Sequence, residues 1–97
     1  MRLVWSAFAL SDRDAIFTHI EGENPAAAIA VDERIAAAAH RLRDFPESGR
    51  PGRLSGTREL VVTGMPYLAA YLVSGEIVRI LRVLHGAQQW PEDLPSD

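Results

Sequence analysis

The sequence predicts an α+β fold of order β-α-α-β-β-β, in which a helical hairpin packs on one face of a small, mostly antiparallel sheet. Three observations predict it. A short apolar segment opens the chain, two segments with helix-capping residues follow, and strand-length apolar runs separated by glycine-containing turns fill the part after position 57. Ninety-seven residues support one hydrophobic core, so we expect a single domain over 1–97, with 91–97 as a flexible tail.

The first strand is predicted over residues 1–5, and the first helix follows it at once. Ser6 is a suitable N-cap for a helix from Ala7 to about Glu21. Arg13 interrupts the apolar face of this helix, so the sequence does not determine which side of the helix faces the core. The clearest apolar positions are Ile16, Phe17 and Ile20.

The second helix has the most regular apolar spacing in the chain. Asn24 can cap it, and Pro25 suits its first position, where the missing N–H costs nothing. Because a residue before proline disfavours helical geometry, Pro46 predicts that the helix ends at Phe45. The apolar stripe recurs at spacings of three and four residues and comprises Ala28, Val31, Ile35, Ala38, Leu42 and Phe45.

Three further strands are predicted: Arg58–Thr63, Tyr67–Val73 and Ile77–His85, with a tight turn at Ser74-Gly75. The last strand alternates imperfectly, since each of its two faces carries an arginine, Arg79 or Arg82, among apolar residues. This pattern favours a sheet with helices on one face and a working surface on the other.

The segment after the last strand ends on an aromatic residue. His85 and Gly86 end the strand, and we expect Trp90 to fold back as a hydrophobic lid at the sheet edge, so that its loss would lower the melting temperature.

Composition places the chain among ordinary globular proteins, with 47% hydrophobic and 24% charged residues. The absence of cysteine excludes disulfides and thiolate metal sites, and the three histidines lack metal-ligand spacing. We therefore expect no metal and no cofactor. No leader precedes the first strand and no apolar run approaches the roughly 20 residues of a membrane span, so we expect a cytoplasmic protein without membrane contact.

Charge is distributed unevenly along the chain. All ten basic residues are arginine, and residues 41–82 hold seven of them against four acids, a local charge of +3 within a chain of net charge −3. Arginine suits planar contacts with carboxylates and phosphates and is common at interfaces. A codon bias would explain the missing lysine but not the clustering.

Six segments, in this order and spacing, resemble the RelE/ParE superfamily of bacterial toxins, and specifically its ParE-like branch. Arg13, where such sequences usually carry an aliphatic residue, and Ala7, where proline is common, depart from the pattern. The segments are LVWS followed by AL, NPAAA, LRDFPESGRPGR, GTRELVV, PYLAAYLV and ILRVLHGAQQW.

The resemblance implies the toxin of a type II toxin–antitoxin pair, a class associated with growth arrest and plasmid stabilisation. ParE-like toxins poison DNA gyrase, whereas RelE-like relatives cut mRNA on the ribosome. The resemblance also implies a ParD-like ribbon-helix-helix antitoxin whose acidic tail folds onto the toxin. Operator DNA would then be contacted only through the antitoxin.

For catalysis, the residues offer few candidates. If the protein were a nuclease, His85 could act as acid or base, and Arg58 and Arg82 could stabilise the phosphorane. A histidine that ends a strand is more often a hydrogen-bonding residue, and a pI near 5.5 is unusual for a ribosome-bound nuclease. We therefore expect a gyrase poison without catalytic residues. The alternatives are a RelE-type mRNA endonuclease and a non-toxic homologue retained as an antitoxin-binding co-repressor.

The antitoxin contact has a physical basis, because an acidic segment that folds on binding needs apolar surface and arginine partners. Together with the exposed flank of the helical hairpin, sheet residues are expected to supply both. An alanine at Arg58 or Arg82 would then weaken the complex by about 1 kcal/mol or more. The predicted antitoxin-binding residues are Arg58, Tyr67, Tyr71, Arg79 and Arg82.

Overall fold

The computed structural model describes residues 1–91. Two helices pack against a five-stranded sheet of order β1-β5-β4-β3-β2, in which β1 runs parallel to β5 and all other pairs are antiparallel. The α+β class and the predicted element order are confirmed, with one added strand. The elements are β1 (Arg2–Trp5), α1 (Ala7–Glu21), α2 (Pro25–Arg41), β2 (Arg50–Pro51), β3 (Arg58–Val61), β4 (Tyr67–Ser74) and β5 (Ile77–His85). The predicted tail lies, from residue 92 onward, outside the described residues.

Ser6 caps α1 and also ties it to the sheet. Its hydroxyl accepts a hydrogen bond from the Ala9 N–H (2.9 Å) and donates one to the Leu81 carbonyl of β5 (2.7 Å). Because the Ser6 N–H donates to the Ile80 carbonyl, α1 begins where β1 leaves the edge of β5. One buried serine therefore fixes both the start of α1 and its position beside β5.

The core lies between the helical hairpin and one face of the sheet. Both helices contribute, α1 through Ala9 and α2 through most of its predicted apolar stripe. The buried cluster comprises Ala9, Ile35, Ala38, Ala39, Leu42, Val62, Ala69, Tyr71, Val78, Ile80 and Val83.

Arg13 joins the two helices instead of disturbing them. Its guanidinium donates two hydrogen bonds to the Asp32 carboxylate of α2 (3.0 and 2.9 Å) and lies 4.5 Å from the centre of the Trp5 ring. The charged residue on the apolar face of α1 is thus neutralised by an ion pair and stacked on an aromatic ring.

The last part of the predicted second helix is wrong. α2 ends at Arg41, and Phe45 is 65% exposed instead of completing the buried stripe. The Leu42 N–H donates to the Ala39 carbonyl, an i−3 bond that tightens the final turn. Residues 42–44 form a turn, so the chain leaves the helix before Pro46 can end it.

A β-bulge explains the imperfect alternation of β5. Tyr71 pairs with Ile80 and Ala70 pairs with Arg82, so Leu81 is the extra residue. Side chains before and after the bulge therefore follow different parities: Val78 and Ile80 face the helices, and after the bulge so does Val83.

The sheet face opposite the helices is partly covered, contrary to the expectation of a free working surface. Leu68, Ala70 and Leu84 are buried although they do not belong to the helix-side cluster. Trp90 is half-buried, and the guanidinium of Arg53 lies 3.8 Å from the centre of its ring, while the packing of Trp90 as a lid on the sheet edge stays a prediction. No helix among the described residues is long and apolar enough to cross a membrane.

Candidate functional site

The three candidate catalytic residues do not converge. Arg58 pairs with Tyr71 of β4, whereas His85 pairs with Tyr67, four positions away along the same strand and thus about 13 Å distant. Arg82 lies in the row of Ala70, on the sheet face opposite that of Arg58. A single phosphate could not contact all three side chains.

Arg58 binds main-chain groups of its own chain. Its guanidinium donates to the carbonyls of Gly49 (2.7 Å) and Glu47 (3.3 Å). These bonds hold the loop between α2 and β2 against β3. Arg58 is half-buried and retains some accessible surface, so an antitoxin contact there stays a prediction.

Tyr71 is a core residue, which corrects its assignment as an antitoxin contact. It is 0% exposed, its hydroxyl accepts from the Gly49 N–H (2.9 Å), and it donates to the Pro46 carbonyl (2.8 Å). Burial raises the pKa of Tyr71, only partly opposed by the Gly49 hydrogen bond and the charge of Arg58. The phenol is therefore neutral at physiological pH and inaccessible to a partner.

Arg82 is also committed within the fold. It forms a bidentate pair with Asp12 of α1, at 2.7 and 2.9 Å, with the arginine side chain 22% and the aspartate 14% exposed. Asp12 additionally accepts the N–H of Val83 (2.8 Å), a main-chain donor that the bulge and the end of β1 leave free. The Asp12 hydrogen bond raises the pKa of Arg82. Arg82 therefore has a structural role within the toxin, and its contact with the antitoxin stays a prediction.

His85 is held by local contacts. Its Nδ1 accepts from the Ala87 N–H (3.0 Å), and its ring meets the Tyr67 ring edge-on, with centroids 5.7 Å apart. Arg79 is half-buried on the face opposite the helices, beside Val4 in the neighbouring strand, and forms no ion pair within residues 1–91. Tyr67 and Arg79 therefore lie on different faces, and the five predicted residues do not make one patch.

Glu59 is the one acidic residue buried in the described part of the chain, at 3% exposure. It accepts from the Arg53 N–H (2.8 Å) and from the Arg50 side chain (3.2 Å). The side chain of Arg53 also lies near, with its Nε 3.5 Å from the carboxylate, so two arginines of the basic middle segment neutralise this buried group. In the described range, no group of three histidine, aspartate or glutamate residues is placed to hold a metal ion.

An open groove runs between α2 and β3, and the sequence reasoning missed it. One half is a cavity of about 380 Å³ lined by Arg34, Ala37, Ala38, Arg41, Val62 and Thr63. The adjoining half, of about 290 Å³, is lined by Ala38, Arg41, Phe45, Ser48 and Leu60. We call the two halves together the α2–β3 groove.

The groove had a signal in the sequence. Its α2 residues recur at i, i+3, i+4 and i+7, one helical face directly beside the buried stripe, and Phe45 follows beyond the end of the helix. Small alanines between two arginines on that face leave room for an incoming side chain, and the turn at 42–44 exposes Phe45 at one end. Only the position of β3 beside α2 turns this helical face into a groove.

A family model of the ParE toxin of the type II toxin–antitoxin system parDE matches residues 3–90. The chain belongs to the ParE toxin family. The match spans both helices and all five strands, so the fold described above is the fold of a type II toxin–antitoxin toxin.

Relatives of this ParE-family toxin cover almost its whole length. Y4kP of Sinorhizobium fredii, named as a candidate toxin, is 45% identical over 96% of each chain. Toxin RelE2 of Caulobacter vibrioides is 38% identical over 90% of this chain and 97% of its own. A solved structure of the chromosomal ParDE toxin–antitoxin system from P. aeruginosa aligns with a TM-score of 0.81 at 30% identity, covering 88% of this chain and 95% of the other.

Proposed function

We propose that this toxin stops growth by binding DNA gyrase and stabilising its cleaved-DNA complex, without catalytic groups of its own. The observation that carries the proposal is the dispersal of Arg58, Arg82 and His85. A nuclease needs a proton donor or acceptor and cations around one phosphate. Here the guanidinium groups of Arg58 and Arg82 already form hydrogen bonds within the toxin, so the chain is better suited to act by binding a target protein than by cleaving RNA.

A ParD-like antitoxin of the ribbon-helix-helix class neutralises the toxin under this proposal. The solved ParDE assembly to which the chain is similar supports an antitoxin partner. Operator DNA is then contacted only through the antitoxin, and the pair acts in the cytoplasm, where gyrase works. Within residues 1–91 the cations still without an ion-pair partner include Arg34, Arg41 and Arg79, which leaves the toxin basic surface for an acidic partner.

The second candidate function is ribosome-dependent mRNA cleavage, which the 38% identity to Toxin RelE2 favours. It would have to use His85 without the help of Arg82, which pairs with Asp12. The sequence pI near 5.5 also opposes binding within a cage of phosphates.

Expression of the toxin alone, and together with the antitoxin encoded beside it, tests the proposal. We expect growth arrest in the first case and growth in the second. The purified toxin should then convert supercoiled plasmid into gyrase-linked broken DNA when gyrase and ATP are present. Codon-positioned cuts in translated mRNA, without gyrase-linked breaks, would support the RelE-type alternative instead.

His85→Ala separates the two activities further. We expect this variant to remain toxic, because the His85 side chain stacks against Tyr67 and, within residues 1–91, hydrogen-bonds only to its own loop. Loss of toxicity in a variant with unchanged thermal unfolding would favour the nuclease. Absence of growth arrest by the wild type would instead favour a non-toxic antitoxin-binding co-repressor.

A further inference from the structure

We propose that the open seam of the helical hairpin docks a basic amphipathic segment of gyrase. The inference rests on the proposal that gyrase is the target, and it adds the surface of the toxin and the chemistry of the partner. We call the hairpin seam the solvent-facing side on which α1 and α2 meet, and its residues are Leu10, Asp14, Phe17, Glu21, Ile29 and Glu33.

The α1 side of the hairpin seam combines apolar and acidic side chains. Leu10, Asp14, Phe17 and Glu21 follow one another at steps of four, three and four residues, so they share one face of the helix. The two apolar residues alternate with the two carboxylates along this face. A partner that contacts it therefore meets an apolar group and an acidic group in turn.

The α2 side repeats this combination. Asp32 lies at the contact between the helices, because its carboxylate accepts two hydrogen bonds from Arg13 of α1. Ile29 lies one turn before Asp32 and is 52% exposed, and Glu33 is exposed one turn after Ile29. An exposed isoleucine and an exposed carboxylate thus border the seam from the second helix.

A cavity opens in the seam between the two helices. It has a volume of about 300 Å³ and is lined by Leu10, Arg13, Asp14, Phe17 and Asp32. Leu10 is 50% exposed although it belongs to a helix that packs on the sheet. Exposed apolar side chains around a concave site are typical of a protein interaction surface, so the cavity can receive an apolar side chain of a partner.

The seam is acidic as well as apolar. Arg13 and Asp32 neutralise each other, whereas Asp14, Glu21 and Glu33 form no ion pair within residues 1–91. The surrounding sequence strengthens this charge, since residues 1–40 hold six acids against three arginines. A bound partner would therefore place cations on the rim of the cavity.

This charge selects a basic protein surface. Because like charges repel, the seam disfavours DNA, an acidic antitoxin segment and a second copy of itself. A protein that holds DNA carries lysine and arginine beside its DNA channel, and such a surface on gyrase is complementary to the seam. The toxin would then lie on the protein next to the cleaved DNA and not on the DNA itself.

Titration of purified toxin against gyrase, supercoiled plasmid and ATP tests this inference, with gyrase-linked broken DNA as the readout. We expect Leu10→Ser and Asp14→Arg each to raise the toxin concentration for half-maximal cleavage about tenfold or more. Asp14→Asn should act in the same direction but less strongly, because it removes the charge without reversing it.

Two exposed residues outside the seam provide matched controls. Phe8 is 48% exposed on α1, and its position two residues before Leu10 places it on the other side of the helix, so Phe8→Ser is the control for loss of an exposed apolar group. Asp44 is exposed in the turn after α2, so Asp44→Arg is the control for charge reversal. Both controls should act within about twofold of the wild type.

Wild-type potency in Leu10→Ser and Asp14→Arg would overturn the docking surface and leave gyrase as the target. Equal loss in Asp14→Arg and Asp44→Arg would also overturn it, because that result indicates general charge attraction. Absence of gyrase-linked breaks with folded wild-type toxin would overturn the proposed function and this inference together. Thermal unfolding checks that each variant is folded, and Asp14→Asn serves if Asp14→Arg is not.

Discussion

Replacing Arg82 with alanine should destabilise the toxin without removing a docking residue. Arg82 and Asp12 join β5 to α1 across a large separation in sequence, and both side chains are less than one third exposed. The same carboxylate accepts the Val83 N–H at the bulge. Loss of the guanidinium therefore leaves a half-buried carboxylate with one remaining protein donor.

The magnitude follows from these contacts. The variant loses two hydrogen bonds between charged groups, a kind of bond that contributes about 1.5–3 kcal/mol. Because both side chains are partly exposed, the total loss of stability should stay below the roughly 3–5 kcal/mol that breaking a fully buried pair costs. We expect Arg82→Ala to lower the free energy of unfolding by about 2 kcal/mol. For a chain of this length that corresponds to a melting temperature lower by roughly 8–16 °C. Arg82→Lys should recover part of it, since lysine cannot form the bidentate pair.

Urea unfolding followed by circular dichroism measures the effect, and Arg79→Ala is the matched control. Arg79 lies on the same strand and the same sheet face but forms no ion pair in the described chain, so its replacement should change the free energy of unfolding by less than about 0.5 kcal/mol. A double-mutant cycle with Asp12→Ala should give a coupling energy of about 1–2 kcal/mol.

An Arg82→Ala variant that unfolds like the wild type while its affinity for the antitoxin falls tenfold would be the opposite of this prediction. That result would mean that Arg82 contacts the antitoxin, as the sequence analysis predicts, and does not stabilise the fold. A folded Arg82→Ala variant with antitoxin affinity within about threefold of the wild type is the expected outcome.

Three further changes test the packing. Tyr71→Phe removes both hydroxyl hydrogen bonds and should lower the free energy of unfolding by about 1–3 kcal/mol. Because burial raises the pKa of Tyr71 above its ordinary 10.0, the stability of the wild type should also fall as the pH rises above about 10. Chemical unfolding of Tyr71→Phe should not show this pH-dependent loss. Trp90→Ala should lower the free energy of unfolding by about 1–2 kcal/mol, and with it the melting temperature in calorimetry, because the variant lacks the apolar ring and its stacking with Arg53. An unchanged melting temperature would mean that Trp90 does not pack on the sheet. Arg13→Ala should cost about 1 kcal/mol and show coupling to Asp32→Ala, and additive effects would contradict the bridge between the helices.

Local sequence patterns predicted most of the elements correctly. The Ser6 cap placed α1, and the glycine placed the hairpin of the last two strands, because capping and turn chemistry act over a few neighbouring residues. The turn itself is Gly75-Glu76, one position later than predicted, since Ser74 still pairs with Ile77. The end of α2 was misplaced, since the turn at 42–44 precedes the proline that suggested the boundary. The two-residue strand Arg50–Pro51 has no periodicity from which to predict it.

The arrangement of side chains on the sheet could not be predicted, because one bulge changes which residues share a face. Strict alternation along the last strand groups Arg82 with Val78 and Ile80, yet the extra residue Leu81 moves Arg82 to the opposite face. The ion-pair partner of Arg82 could not be predicted from the sequence either, because Asp12 is distant along the chain. The candidate site therefore required the pairing register that only the structure gives.

The measurement that bears most directly on the account is gyrase-dependent cleavage of supercoiled plasmid by purified His85→Ala toxin beside the wild type. A mechanism without catalytic groups predicts that both proteins produce gyrase-linked broken DNA at concentrations within about twofold of each other. Absence of broken DNA with the folded wild type, together with mRNA cleavage that His85→Ala abolishes, would contradict it.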